Sequence, residues 1–249
     1  MNYEFPLVFF TVLTQLGIGL TLVGAWKSRR GQNAPSRNYW LAALAATLAG
    51  LVASLFHLGA PLRAVTALAG LGHSWLSREG LVLGLLILLL AFVALRPAQR
   101  AAALAAGIAG LAVLVVQGFT YAPVSLPAVS NGFPLLLFAF TALALGTCFG
   151  AQAVGPQRLA LCLLLLILLL VPCLWASGGA VMQETATLWR QSPGFWIGLL
   201  LTAAALVLSL ACRRVTRAQG ILVLCGALLV RMTFFGATLH SAARLGMPY

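Results

Sequence analysis

Uncharged apolar runs too long for a soluble core recur along this chain. Residues 80–95 contain no charged, amide or hydroxyl side chain, and neither do residues 159–172. An α-helix rises about 1.5 Å per residue, so about 20 such residues cross the roughly 30 Å apolar core of a bilayer. Within lipid a chain must satisfy its own backbone hydrogen bonds, and a helix does so locally. Eight segments meet this length: 5–26, 39–60, 75–95, 101–121, 134–154, 158–178, 194–212 and 218–240. The composition agrees, since 62% of the residues are apolar and only 7% are charged. A soluble domain carries about 25% charged residues, and this chain lacks the polar surface to cover a globule. The expected fold is all-α: one transmembrane domain over residues 1–249, built as an eight-helix bundle.

The breaks between the runs have ordinary turn chemistry. Gly31 and Pro35 follow the first span, Pro61 stops the second and Pro97 the third. Residues 62–74 read as a loop or an interfacial helix. Residues 122–133 read as a loop on Pro123, Pro127, Asn131 and Gly132. Gly155 and Pro156 predict a turn, Pro172 a kink in the sixth span. A loop holding Glu184, Arg190 and Pro193 is expected before the seventh. The first span has no basic residue ahead of it and runs long, which favours a retained helix over a cleaved signal. No internal repeat stands out.

The charges are unevenly divided. The chain has fifteen Lys and Arg against three acids, for a net charge of +12. With eight spans, alternate connections share one side. The connections after spans 1, 3, 5 and 7 hold Lys27, Arg29, Arg30, Arg37, Arg96, Arg100, Arg158, Arg213, Arg214 and Arg217, and no acid. The other side holds Arg63, Arg78, Arg190 and Arg244, with Arg231 inside the last span, and all three acids, Glu4, Glu79 and Glu184. By the positive-inside rule the first side is cytoplasmic, so both termini are expected in the periplasm. Basic residues dispersed in short loops orient a membrane protein; they do not build a nucleic-acid surface.

Metal and cofactor signatures are weak. Cys148, Cys162, Cys173, Cys212 and Cys225 are scattered, with no CxxC or CxxCH spacing for zinc, iron–sulphur or covalent haem. The three histidines are His57, His73 and His240. A His57–His240 pair would suffice for one bis-histidine haem, and two haems are excluded.

The ionisable residues inside spans are the functional candidates, because charge within a bilayer is costly and has to face protein or a cavity. His57 lies near the outward end of span 2, with Ser54 one turn earlier on the same face. It reads either as an interfacial histidine bonded to a carbonyl or as a proton acceptor in a cavity. Glu79 opens span 3 beside Arg78, and adjacent residues do not share a helix face, so Glu79 is free to face the bundle. It reads as an interhelical contact or as a proton relay. Arg231 lies well inside span 8 and needs protein around it. His240 closes the same span, nine residues on, which places it on the opposite helix face. All four belong to the outward half; the inward half is nearly free of ionisable groups. A proton path from side to side is thus not offered, whereas a site for an amphiphilic membrane-dissolved substrate is.

Several stretches resemble the anchor subunit of anaerobic dimethyl sulphoxide reductase. They are Ser54-Leu-Phe-His57-Leu-Gly59-Ala-Pro61-Leu-Arg63-Ala, then Leu76-Ser-Arg-Glu79, the N-terminal Glu4-Phe-Pro6-Leu-Val-Phe-Phe-Thr11, and Arg231-Met-Thr-Phe-Phe-Gly236 ending at His240. The resemblance implies a subunit of the bacterial inner membrane that oxidises a quinol, usually menaquinol. It implies partners on the periplasmic face, an iron–sulphur electron-transfer subunit and a molybdopterin catalytic subunit, and no haem, iron–sulphur cluster or metal in the anchor itself. The family's quinol-site histidine corresponds to His57, and its implicated glutamate to Glu79. Ser54, Gly59, Arg63, Arg231 and His240 complete the candidate quinol site. Ala227 stands where the family offers an acid, so a relay through that position is not expected. Two other classes remain: a small-molecule transporter, which would favour inverted repeats and broken helices, and a purely structural anchor, which would leave the outward ionisable groups unexplained.

Overall fold

A computed structural model describes residues 4–31, 35–56, 70–151 and 153–242. Within these residues the chain is an all-α bundle of nine helices: α1 (Phe5–Arg29), α2 (Arg37–Leu55), α3 (Trp75–Leu95), α4 (Arg100–Thr120), α5 (Phe133–Gly150), α6 (Val154–Ala176), α7 (Ala180–Gln191), α8 (Pro193–Ala211) and α9 (Arg217–Ala237). Eight are long and apolar enough to cross a membrane. The ninth, α7, has 12 residues and lies between spans 6 and 7.

Local chemistry explains the helix starts. Ser36, Ser74 and Ser192 cap α2, α3 and α8 by accepting from the backbone N–H of Tyr39, Ser77 and Phe195. Asn131 Oδ1 accepts from Phe133 N at 2.8 Å and sets the entry to α5. Hydroxyls inside the bundle donate to the carbonyl one turn back, as Thr14 does to Phe10, Thr21 to Gly17 and Thr141 to Leu137. That bond hides a polar group which lipid could not solvate.

Three expectations are corrected. Residues 180–191 are not loop but the amphipathic helix α7, burying Thr185, Ala186 and Trp189 and exposing Gln183, Glu184 and Arg190. Gly155 and Pro156 do not turn the chain; α6 already begins at Val154, and its first turn tolerates a proline that has no N–H to lose. The last helix stops at Ala237, because Thr238 takes up extended backbone (φ −88°, ψ 121°), so His240 lies beyond the helix and the opposite-face argument for it lapses. Helix α2 ends at Leu55; the remainder of the span read over 39–60, from residue 57, lies outside the described residues.

Helix α1 is the hub, packed against α2, α4, α5 and α9. Small residues allow these approaches, as is common between membrane helices. Gly19 meets Ala142 and Gly146 of α5 backbone to backbone, and Gly17 meets Ala43 and Thr47 of α2. Gly198 and Gly226 do the same for α8 and α9; a Cβ on either would stand 2.8 Å from the other's carbonyl oxygen. On the outside, Leu88, Ile108, Leu166, Leu200 and Val207 stay exposed, which suits side chains facing lipid tails.

With eight spans, the start of α1 and the end of α9 share one face with α7. The chain ties this α7 face together: Trp189 Nε1 donates to Thr238 Oγ1 at 3.3 Å, Leu239 N to Thr185 Oγ1 at 3.3 Å, and Ser241 N to the Ser125 carbonyl at 2.8 Å. The opposite, basic face carries the α1–α2, α3–α4, α5–α6 and α8–α9 connections.

Candidate functional site

The start of α3 explains why Glu79 points inward. Arg78, its neighbour, folds back: Nε and Nη2 donate to the carbonyls of Leu71 and Gly72, both at 2.9 Å, and the guanidinium stacks on Trp75 at 4.5 Å. Arg78 therefore caps the turn before α3, and Glu79 enters the bundle, 2% exposed. Gln117 and Thr120 of α4 flank its carboxyl. Both are close enough to interact with it, but neither is aligned for a well-formed hydrogen bond. Gln117 Nε2 points to Thr14 Oγ1 at 3.3 Å, and Thr120 Oγ1 to its own Val116 carbonyl at 2.9 Å.

Helix α1 carries the seam onward. Gln15, the residue after Thr14, accepts from Arg231 Nη2 at 2.8 Å. Arg231 is 1% exposed, with its guanidinium over the ring of Phe138 at 4.2 Å and near that of Phe234 at 5.7 Å. Aromatic faces offset part of the cost of burying the cation. Tyr121, just past α4, lies within electrostatic reach of both Glu79 and Arg231 and packs edge-on against Phe138 and Phe235. Glu79 beside Gln117 and Thr14, and Arg231 bonded to Gln15, are thus buried polar groups on α3, α4, α1 and α9, with Tyr121 in electrostatic reach of both ends; together they are called the seam below.

The seam is under-satisfied. Gln15 Nε2, both Glu79 oxygens, Gln117 Oε1, and Arg231 Nε and Nη1 have no hydrogen-bond partner among the described residues. A buried orphan costs about 1–3 kcal/mol, and more when charged. The atoms are placed to receive water, protons or a polar ligand.

An aromatic cap closes the α7 side. Trp189 of α7 meets Trp175 at 5.0 Å, Phe195 at 5.6 Å and Phe133 at 6.0 Å, and Phe133 meets Trp175 at 5.3 Å. Phe234 links this group to Phe138 at 6.0 Å, and so to Arg231. A small enclosed void of about 10 Å³ beside Arg231, lined by Thr141, Thr202 and Ala227, has room for about one water. A larger groove, about 330 Å³, opens between the start of α1 and the end of α2. Phe5, Phe9, Val52 and Phe56 line it, and Phe56 directly precedes His57.

The other expected site residues are dispersed. Ser54, half-buried near the end of α2, donates to its own Leu51 carbonyl at 2.7 Å. His240, half-buried on the α7 face, accepts at Nδ1 from Ala242 N at 3.1 Å. His57, Gly59 and Arg63 lie outside the described residues. The structure brings Glu79 and Arg231 into one seam and adds Thr14, Gln15, Gln117 and Tyr121, which were not expected. Their signal was present, since Gln15 and Gln117 are lone amides within apolar spans. Among the described residues no group of three His, Cys, Asp or Glu could hold a metal.

Eight spans with short connections define an integral membrane protein. The chain belongs to the DMSO reductase anchor subunit (DmsC) family, whose sequence model matches residues 1–191. It is a multi-pass protein of the bacterial inner membrane. It is similar to the C subunit of the anaerobic dimethyl sulfoxide reductase of Haemophilus influenzae, 42% identical over 81 residues. That match covers 31% of this chain and 29% of the relative's length. The family match ends with α7, so α8 and α9, including Arg231, rest on the geometry above.

Proposed function

We propose that this anchor oxidises a membrane-dissolved quinol, menaquinol by class, and passes its electrons to an iron–sulphur subunit. That subunit and a molybdopterin catalytic subunit would dock on the α7 face, which we place in the periplasm. The orientation follows from ten cations and no acid on the opposite connections.

The observation that carries the reading is the buried carboxyl of Glu79, without a well-formed hydrogen bond, set at the start of a span beside Gln117, Thr120 and Tyr121. Oxidation of a quinol to a quinone releases two electrons and two protons. The electrons leave singly to the partner's cluster. His57 takes one proton from the reacting hydroxyl and Glu79 the other, and both pass to the periplasmic side. The apolar groove ending at Phe56 offers a lateral way in for the ring and tail. Ser54, Gly59 and Arg63 would shape the entrance. Arg231, enclosed by Phe138 and Phe234, holds Gln15 behind the site, and His240 stays at the α7 face. No haem, cluster or metal in this chain is needed for the step.

The test is quinol turnover by the assembled complex carrying His57→Leu. Oxidation of a reduced menaquinol analogue is expected to fall roughly 10²-fold, the scale of a lost general base, with the partner subunits still co-purifying. Normal turnover in that variant would remove His57 from the mechanism.

A further inference from the structure

The basic face holds a pocket that the quinol reading does not use. It is about 350 Å³ and opens between the end of α5 and the start of α9. Cys148, Phe149, Val215, Thr216, Arg217 and Ile221 line it. Helices α5 and α9 touch beside it: Gly220 abuts the Phe149 ring so tightly that a Cβ there would stand 2.7 Å from it. Behind Cys148, Gln157 Nε2 donates to Gln219 Oε1 at 3.0 Å and reaches Cys148 Sγ at 3.2 Å, while Gln219 Oε1 also accepts from Thr216 N at 2.8 Å. This polar seam ties α5, α6 and α9 into a fixed wall. Phe149 and Ile221 are exposed on the outer side of these helices, where a span faces lipid.

The charge around the pocket is uncompensated. All three acids of the chain lie on the connections or spans of the α7 half, so this face has no carboxylate. Several of its cations are already taken up by backbone carbonyls. Lys27 Nζ donates to the Gly150 carbonyl at 2.6 Å, Arg158 to the Ser209 carbonyl through Nε at 3.0 Å and Nη2 at 2.6 Å, and Arg100 to the Arg29 carbonyl. Arg30 stacks on Trp26 at 4.4 Å. Arg217 instead stands exposed and lines this mixed, mostly apolar pocket, preceded within the same short connection by the exposed Arg213 and Arg214. A guanidinium beside an apolar wall at headgroup depth fits a ligand with a phosphate at one end and hydrocarbon at the other.

We propose that this pocket is a binding site for one anionic phospholipid, with the phosphate on Arg217 and an acyl chain along Phe149 and Ile221. The lipid supplies the negative charge that the face lacks and fills the gap between α5 and α9. The proposal stands apart from the quinol reading, since it uses the opposite face and none of its residues.

The test is native mass spectrometry of the full chain, with whatever subunits co-purify, released from nanodiscs of equal phosphatidylglycerol and phosphatidylcholine. One phosphatidylglycerol is expected to stay bound in preference to phosphatidylcholine. Arg217→Gln is expected to lower that occupancy about tenfold, roughly one charge-assisted contact. Ile221→Trp, which fills the pocket from the lipid side, is expected to lower it as well, and Arg30→Gln to leave it unchanged. If Arg217→Gln fails to fold, Ile221→Trp decides. Equal retention of both lipids, or unchanged phosphatidylglycerol in the pocket variants, would overturn the proposal.

Discussion

The two halves of the bundle treat their polar groups differently. Near the basic face the cations find carbonyls: Lys27 bonds Gly150, and Arg158 bonds Ser209 twice. The buried atoms left without partners there are neutral ones, Trp40 Nε1, Gln157 Oε1, Gln219 Nε2 and Ser209 Oγ. Toward the α7 face the unpartnered atoms belong to a carboxylate and a guanidinium, Glu79 and Arg231, with two amides between them. A neutral orphan costs about 1–3 kcal/mol, and a buried unpaired ion several. A bundle selected only for stability would place its unpaired charge in neither half. The contrast therefore separates polar groups that fasten helices from the groups to which the proposed function assigns chemistry.

The largest effect should come from breaking the fastening that both halves share. Gly19 and Gly146 let the backbones of α1 and α5 touch. No rotation of a side chain relieves a Cβ placed against backbone. Gly19→Val is expected to cost about 3 kcal/mol or more and to lose the monodisperse protein in detergent size-exclusion chromatography. Because α1 also carries Thr14 and Gln15, quinol turnover should vanish with the fold. A well-folded Gly19→Val protein would mean that α1 and α5 do not pack through this contact.

Next in size is Glu79→Gln, which puts the comparison itself at risk. The amide keeps the shape of the carboxyl but cannot take up a proton. If Glu79 accepts the second proton, quinol oxidation should fall roughly 10²-fold. Melting should hold or rise, because a neutral group replaces a buried unpaired ion. Thermal unfolding and turnover measured on the same preparation read the two effects separately. Lower melting with unchanged turnover would make Glu79 an interhelical contact, like the neutral groups of the other half.

These two positions also show what could be read in the sequence. The spans were legible because each is a long uncharged run, and the division of charge between connections was legible for the same reason. The inward turn of Glu79 followed from helix geometry, Arg78 being its neighbour. Helix α7 was not legible as part of the core. Its charged Glu184 and Arg190 suggested loop, although Met182, Thr185, Ala186 and Trp189 recur at helical spacing. Twelve residues are too few for a span, and only tertiary contact with Trp175, Phe133 and Phe195 makes the element worth forming. The joining of Glu79 to Arg231 was hidden for another reason. They approach through Tyr121, which lies within electrostatic reach of both, on helices far apart in the chain, and spacing along one helix cannot report it. The end of α9 was misread because no proline or glycine stands at residues 238–240 to stop the helix, while the backbone turns extended at Thr238 to meet Trp189.

The smallest effect should be found on the basic face, at Lys27→Met. Lys27 lies in the last turn of α1, where its ammonium bonds the Gly150 carbonyl at 2.6 Å and sits 5.5 Å from the Tyr39 ring. Gly150 is buried, so its carbonyl loses this donor when the ammonium is removed. Tyr39 still donates to the Leu20 carbonyl at 2.6 Å and keeps α2 fastened to α1. The expected loss is roughly 1 kcal/mol, read as a small drop in melting temperature. Quinol turnover should not change, because Lys27 bonds at the far end of α1 from the seam. Orientation should hold as well, since the other cations of the same connections remain. A large fall in turnover from Lys27→Met would couple the two faces and end this division of labour, placing the chemistry in the whole bundle instead of its α7 half.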